Sequence, residues 1–131
     1  IEWAKAHEDE PQSALKRNPT LRFEMADRLI ESEVGRMLSY RIASMQNRGL
    51  IPNYEASLLK VFSAELHQRI ARTQLKVLGM YGQLMPKSPQ TALDGRWTHQ
   101  YLRSMGYTIE AGTSEIQRNI IAQRGLGLSR D

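Results

Sequence analysis

The chain has 131 residues, 40 % of them hydrophobic and 24 % charged, a length and balance that suit one domain around a single core. Its net charge of +4 comes from 18 Lys and Arg against 14 Asp and Glu spread along the sequence, which suits phosphate-bearing ligands but not a nucleic-acid surface. Cysteine is absent, which excludes disulfides, thiolate catalysis and Cys-based zinc sites, and no apolar run approaches the roughly 20 residues of a membrane helix.

The first segment, "IEWAKAHEDE", reads as the tail of a helix closing in an acidic run before Pro11. A polar connector with Pro11 and Pro19 follows. A long helix is then predicted up to Arg48, its apolar stripe stepping through Phe23, Ala26, Ile30, Val34, Met37, Leu38, Ile42 and Met45. Gly49 and Pro52 are stop signals, and Asn53 is placed to cap a second long helix reaching about Tyr81. That helix carries Leu59, Phe62, Leu66, Ile70, Thr73 and Val77 on one stripe, with Ala64 and Ala71 permitting close contact. "GQLMPKSPQTALDG" is rich in turn formers and reads as loop. A shorter helix is predicted from Arg96 to Met105, ending at Gly106, and a last one from Ser114 to Gly125. No period-2 run suggests a strand. The expectation is an all-α, four-helix up-and-down bundle with two long antiparallel helices.

The last helix opens from a turn, "YTIEAGTSEIQRNIIAQRGLGL". Ser114 and Gln117 fit a capping box, Ile116, Ile120 and Ile121 fit a core-facing side, and Gly125 sits where a left-handed C-cap belongs. Most such caps bind nothing. A helix start preceded by glycine nevertheless offers free N–H groups to a phosphate or a polarised carbonyl. His7, His67 and His99 have no ligand spacing, and "HEDE" at 7–10 reads as a solvated helix end, so no metal site is expected. Trp97 and Tyr101 suit burial of the short helix, while Tyr107 suits a pocket wall. Glu33 with Arg36 and Glu24 with Arg28 have helix-surface pair spacing.

"GTSEIQRNIIAQRGLGL" resembles, almost residue for residue, the C-terminal signature of the acyl-CoA dehydrogenase family. The helix from Pro19 to Arg48 and the following "NYEASLLKVFSAELHQRIARTQLKVLGMYGQ" are similar to the paired long helices of that family's C-terminal bundle. The resemblance covers nearly the whole chain. It implies that residues 1–131 form the C-terminal helical domain, with the family's N-terminal helical and middle β domains absent from the sequence and Ile1 lying inside a longer protein. It also implies FAD as cofactor and an acyl-CoA substrate of fatty-acid or lipid metabolism. In the family a carboxylate takes the α proton of the thioester while the β hydrogen passes to the flavin. The expected partners are subunits of a homotetramer or a two-component heterotetramer, and the compartment expected is the cytoplasm.

By the same resemblance, Thr113, Ser114 and Glu115 contact the cofactor, and Lys76, Val77, Leu78, Gly79 and Met80 face the flavin of a neighbouring subunit. The backbone N–H of Ala111 binds the thioester carbonyl, a donor that acidifying the α carbon needs. Four departures from the family pattern accompany this. Ala111 stands where many members carry the base, leaving Glu110, one residue earlier, as the candidate carboxylate; one residue turns a side chain about 100° on a helix or to the opposite face of an extended segment. Lys76 replaces a common glutamine and Met80 a common glycine. The family's Arg-x-Phe-Gly-like segment gives way to "ALKRNPTLRF". The rival readings are a non-catalytic partner subunit of a mixed assembly, and a flavin monooxygenase or oxidase of the same fold.

Overall fold

The structure is a computed structural model that describes residues 2–11 and 13–129. Its helices are α1 (Glu2–Ala6), α2 (Ala14–Arg17), α3 (Thr20–Asn47), α4 (Tyr54–Leu78), α5 (Arg96–Tyr107) and α6 (Ser114–Ile120). Two short 3₁₀ turns, Gly79–Gln83 and Ala92–Gly95, lie between α4 and α5, and α6 runs on into one π turn, Ile121–Gly125. Among the described residues there is no strand, so the all-α architecture is as expected, with α3, α4, α5 and α6 as its bundle. None of these helices is long and apolar enough to cross a membrane.

α4 is the axis of the molecule, because α3, α5 and α6 all pack on it. Its small residues make that geometry available: Ser57, Ala64, Ala71 and Thr73 are buried along it together with Leu66, Val77 and Leu78. Ala71, 1 % exposed, leaves room for a neighbouring backbone to approach closely. At one end, Val77 joins Ala4, Leu15 and Leu21 in an apolar cluster that ties α1 and α2 to the two long helices.

α3 behaves differently from its sequence pattern. Only Leu21 is buried on it, and Phe23, Ile30, Val34 and Met37 are exposed. The face turned to α4 is polar over much of its N-terminal half and apolar over its C-terminal half. Glu24 accepts from Lys76 Nζ at 2.9 Å through both oxygens, Glu31 meets Arg69 at 3.0 Å, and Arg41 stands 3.9 Å from Glu55, a ladder that fixes the antiparallel register. Arg28 pairs with Glu31 at 2.7 Å rather than with Glu24 as its spacing suggested, while Glu33 and Arg36 do pair. The helix is rotated so that Leu38, Ile42 and Met45 stay half-buried and the rest of the apolar stripe points outward.

The predicted boundaries hold with local corrections. α4 ends at Leu78, not Tyr81, because Gly79 turns left-handed at φ +58°. Asn53 does not cap α4 with its side chain; its Oδ1 accepts from Arg124 instead, and its N–H is satisfied by Glu55 Oε2 at 3.3 Å. α5 continues one residue past the predicted glycine stop, to Tyr107.

Candidate functional site

Between α5 and α6 the chain reverses through two left-handed residues, Ala111 at φ +53° and Gly112 at φ +89°. Glu110 N–H donates back to Gly106 O, and Ser114 N–H to Thr108 O, both at 2.9 Å, which closes the turn. A Cβ on Gly112 would stand 2.5 Å from Gln117 Nε2, the movable end of that side chain, and it is the φ of +89° that makes glycine the favoured residue here. Gln117 Nε2 donates to the Ala111 carbonyl at 3.3 Å. The cap of α6 is Thr113, whose Oγ1 accepts from Ile116 N–H, one residue earlier than the predicted Ser114–Gln117 box. Ser114 is already helical, only 3 % exposed, and its hydroxyl has no hydrogen-bond partner among the described residues. Ile116 is exposed rather than core-facing, and the left-handed glycine after the last helix is Gly127 instead of Gly125, because the helix first widens into its π turn.

The consequence for chemistry is a set of free donors. Among the described residues no acceptor is paired with the N–H of Ala111, Gly112 or Thr113. Glu110 beside them is half exposed and bound: Arg103 Nη2 donates to both its oxygens, at 2.9 and 2.8 Å. That bond holds the Arg103 guanidinium pKa above its ordinary value. The same guanidinium lies over the Tyr107 ring, 4.4 Å from its centroid, and Tyr107 meets the His67 ring at 5.0 Å. His67 in turn is anchored by Nδ1 to Ser63 O at 2.8 Å. It serves as a structural and partly solvated histidine.

Tyr107, Glu110 and Ala111 form one wall of a groove of about 470 Å³. The opposite wall is α4, through Ala56, Leu59, Lys60, Ser63, Ala64 and His67, with Ile42 of α3 closing it. The groove is almost wholly apolar, and Lys60 Nζ, itself shut off from solvent, makes no hydrogen bond among the described residues.

Ser114 and Glu115 face the other side of the turn, on a polar pocket of about 400 Å³ shared with Gln68, Arg69, Arg72, Thr108 and Arg118. Glu115 has its carboxyl pKa lowered, first by a hydrogen bond from its own backbone N–H and then by the Thr113 hydroxyl, with Arg118 and Lys60 adding attraction. Gln68 Nε2 donates to Thr108 Oγ1 at 3.3 Å, and Arg118 pairs with Glu65. A polar cofactor suits this pocket: it would find charge at Arg72 and an unsatisfied buried hydroxyl at Ser114.

The second predicted set lies elsewhere. Lys76 is engaged by Glu24, the Val77 and Leu78 side chains are buried, and only Gly79 and Met80 present themselves, Met80 being 74 % exposed. Arg17 of α2 stands beside Gly79, its Nη2 3.8 Å from where a Cβ would be. A ligand here would meet backbone and Arg17, not the Lys76 ammonium. Eleven residues of helix separate Gln68, beside the turn, from Gly79, about 16 Å at the α-helical rise. The two sets therefore do not converge on one point. Sequence reasoning missed Lys60 and Arg103. Lys60 shares a helical stripe with Ala64 and His67 and was traceable in principle; Arg103 reaches Glu110 across a turn that no periodicity describes.

A family model described as the acyl-CoA dehydrogenase C-terminal domain matches residues 1–126. Acyl-CoA dehydrogenase FadE26 of Mycobacterium tuberculosis is 32 % identical over 133 residues, covering 98 % of this chain and 33 % of its own length. Acyl-CoA dehydrogenase IpdE1 of Mycolicibacterium smegmatis is 31 % identical over 133 residues, covering 100 % of this chain and 32 % of its own. Among solved structures, the ChsE4-ChsE5 complex from Mycobacterium tuberculosis superposes with a TM-score of 0.88 at 31 % identity, over 99 % of this chain and 34 % of that one. The Tcur3481-Tcur3483 steroid ACAD gives a TM-score of 0.87 at 25 % identity, over 99 % and 33 %. The chain thus spans about a third of the length of these relatives.

Proposed function

The chain belongs to the acyl-CoA dehydrogenase family, and we propose that it acts as the C-terminal domain of a flavin-dependent enzyme that introduces an α,β double bond into an acyl-CoA thioester. The observation that carries the reading is the Ala111–Gly112 turn, whose unpaired N–H groups border an apolar groove of a size suited to an acyl chain. The Ala111 N–H donates to the thioester carbonyl, which lowers the cost of removing the α proton. FAD, when bound, supplies the hydride acceptor. Thr113, Ser114 and Glu115 hold it from this chain, and Gly79 and Met80 with Arg17 offer contacts to the cofactor of a neighbouring subunit. The acyl class extends beyond fatty acids, since one solved neighbour is described as a steroid ACAD.

Glu110 is the nearest carboxylate to Ala111, and acting as base would require breaking both its bonds to Arg103. That clamp, with the absence of a carboxylate at Ala111 and the Lys76–Glu24 pair, favours a second reading as the partner subunit in a two-component assembly. The two-component names of the solved neighbours support it. Anaerobic titration of the parent assembly with acyl-CoA esters tests both. Bleaching of the visible flavin band supports the dehydrogenase. Bleaching abolished in Glu110→Gln places the base on this chain, and bleaching unchanged in that variant places it on another part of the assembly. A flavin that stays oxidised with every thioester sinks the proposal.

A further inference from the structure

We infer that Arg103 is a positioning residue: by clamping Glu110 it holds the next residue, Ala111, in a left-handed conformation and so aims the Ala111 N–H at the thioester carbonyl. Glu110 is then the anchor of the turn and not the base. This rests on the acyl-thioester reading above. Ala111 carries a Cβ, yet its φ is +53°, a region that sterics disfavour for alanine. A residue stays in such a conformation only where its surroundings hold it there.

Here the hold comes from both sides. Before Ala111, Arg103 Nη2 donates to the two Glu110 oxygens at 2.9 and 2.8 Å. After it, Gln117 Nε2 donates to the Ala111 carbonyl at 3.3 Å. The helices that flank the turn, α5 and α6, thus each send one side chain into it. Arg103 is placed for this reach. Its guanidinium lies 4.4 Å from the Tyr107 ring centroid and passes over Gly106, where a Cβ would stand 2.5 Å from Nη1. Glu110 N–H donates to Gly106 O at 2.9 Å, which fixes the backbone beneath the clamp. An exposed ion pair adds little to global stability. Its effect is local: if Glu110 is released and Ala111 relaxes to a negative φ, the Glu110–Ala111 peptide plane rotates relative to the rest of the turn, and the N–H turns with it.

The test uses the oxidised parent assembly with its own flavin, bound to an α,β-unsaturated acyl-CoA isotope-labelled at its carbonyl carbon. Infrared difference spectra report the shift of that carbonyl on binding, a signature that a merely structural role would not move. Arg103→Met is expected to lose most of the wild-type shift and to slow flavin reduction by a saturated acyl-CoA about 10- to 100-fold, less than outright removal of an oxyanion donor. Arg103→Lys, which keeps a donor for Glu110, should restore most of both. Glu110→Met should match Arg103→Met, and the double variant should add nothing to either. A base at Glu110 gives a different pattern: Glu110→Met abolishes reduction and leaves the carbonyl shift intact. That pattern, no shift in the wild type, or a shift unchanged in Arg103→Met overturns the inference. Should Arg103→Met fail to assemble, Gly106→Ala, whose methyl displaces the guanidinium while favouring the helix, must reduce the shift. Absence of bleaching with every saturated thioester would remove the dehydrogenase reading, while the carbonyl shift and its dependence on Arg103 still decide the role of the clamp.

Discussion

α3 and α4 are similar in length, 28 and 25 residues, and lie antiparallel, yet α4 buries seven residues where α3 buries one. Both sequences carry an apolar stripe. The stripe of α4 faces its neighbours, while most of that of α3 faces away from them, and its contact with α4 combines ion pairs with the half-buried Leu38, Ile42 and Met45. The lesson is that periodicity identifies a face, not its partner. α4 is held from three sides by this chain and can position a groove and a polar pocket along its length. α3 is held by α4 along one side and by α1 and α2 at its start, in part through charges whose individual worth is small at such exposure.

The sharpest way to break this comparison is to truncate one residue on each helix. Leu66→Ala, in the core of α4, should cost about 2–4 kcal/mol, whereas Met37→Ala on the outer face of α3 should cost less than about 0.5 kcal/mol. Urea unfolding followed by circular dichroism measures both, with the midpoint moving for the first and an unchanged slope. Equal losses would mean that the outer stripe of α3 is packed in solution after all.

A smaller effect is expected where α6 docks on α4. Thr113→Ala removes the side-chain acceptor of the Ile116 N–H and should cost about 1 kcal/mol, with Thr113→Ser retaining most of it. Glu115 provides a smaller, pH-dependent contribution at the same place. Its folded pKa is depressed below the ordinary 4.5, so its contribution is fully present above that value and is lost as pH falls through the folded pKa. Glu115→Gln should therefore flatten the stability profile below about pH 4.5 and leave its slope near neutrality unchanged. Persistence of the full acid slope in that variant would assign it to other carboxylates.

How much of this was legible follows the same division. The helices of the bundle, their order and the "GTSEIQ" turn were read correctly, because they depend on local signals: prolines, glycines and apolar spacing. The outward rotation of α3 was not, since it depends on where Lys76, Arg69 and Glu55 stand on another helix. The cap at Thr113 was misplaced by one residue because Gln117 reaches past it to the Ala111 carbonyl, a contact that the left-handed pair Ala111–Gly112 creates. Glu110 was singled out by its position, but its clamp by Arg103 joins residues seven apart across a turn. Lys60 was overlooked for another reason: within a helix whose stripe explains its packing, a lysine reads as surface until its surroundings are seen.

The smallest expected change in stability discriminates most. Ile30→Glu combined with Met37→Glu places two charges on residues that are 63 % and 62 % exposed, so unfolding of the chain itself should shift by less than about 0.5 kcal/mol. These residues line a groove with Leu29, Val34 and Leu38 that is almost entirely apolar. An apolar stripe of this kind on a helix paired through charges is what a subunit contact would bury. The expected result is a protein that keeps its helix content by circular dichroism but elutes as a smaller species, with light scattering giving the mass. Should the assembly persist with both glutamates in place, the stripe is not its contact. The contrast between α3 and α4 would then reduce to that between a peripheral helix and a central one, and the assembly would have to be sought at the Gly79–Met80 end of α4.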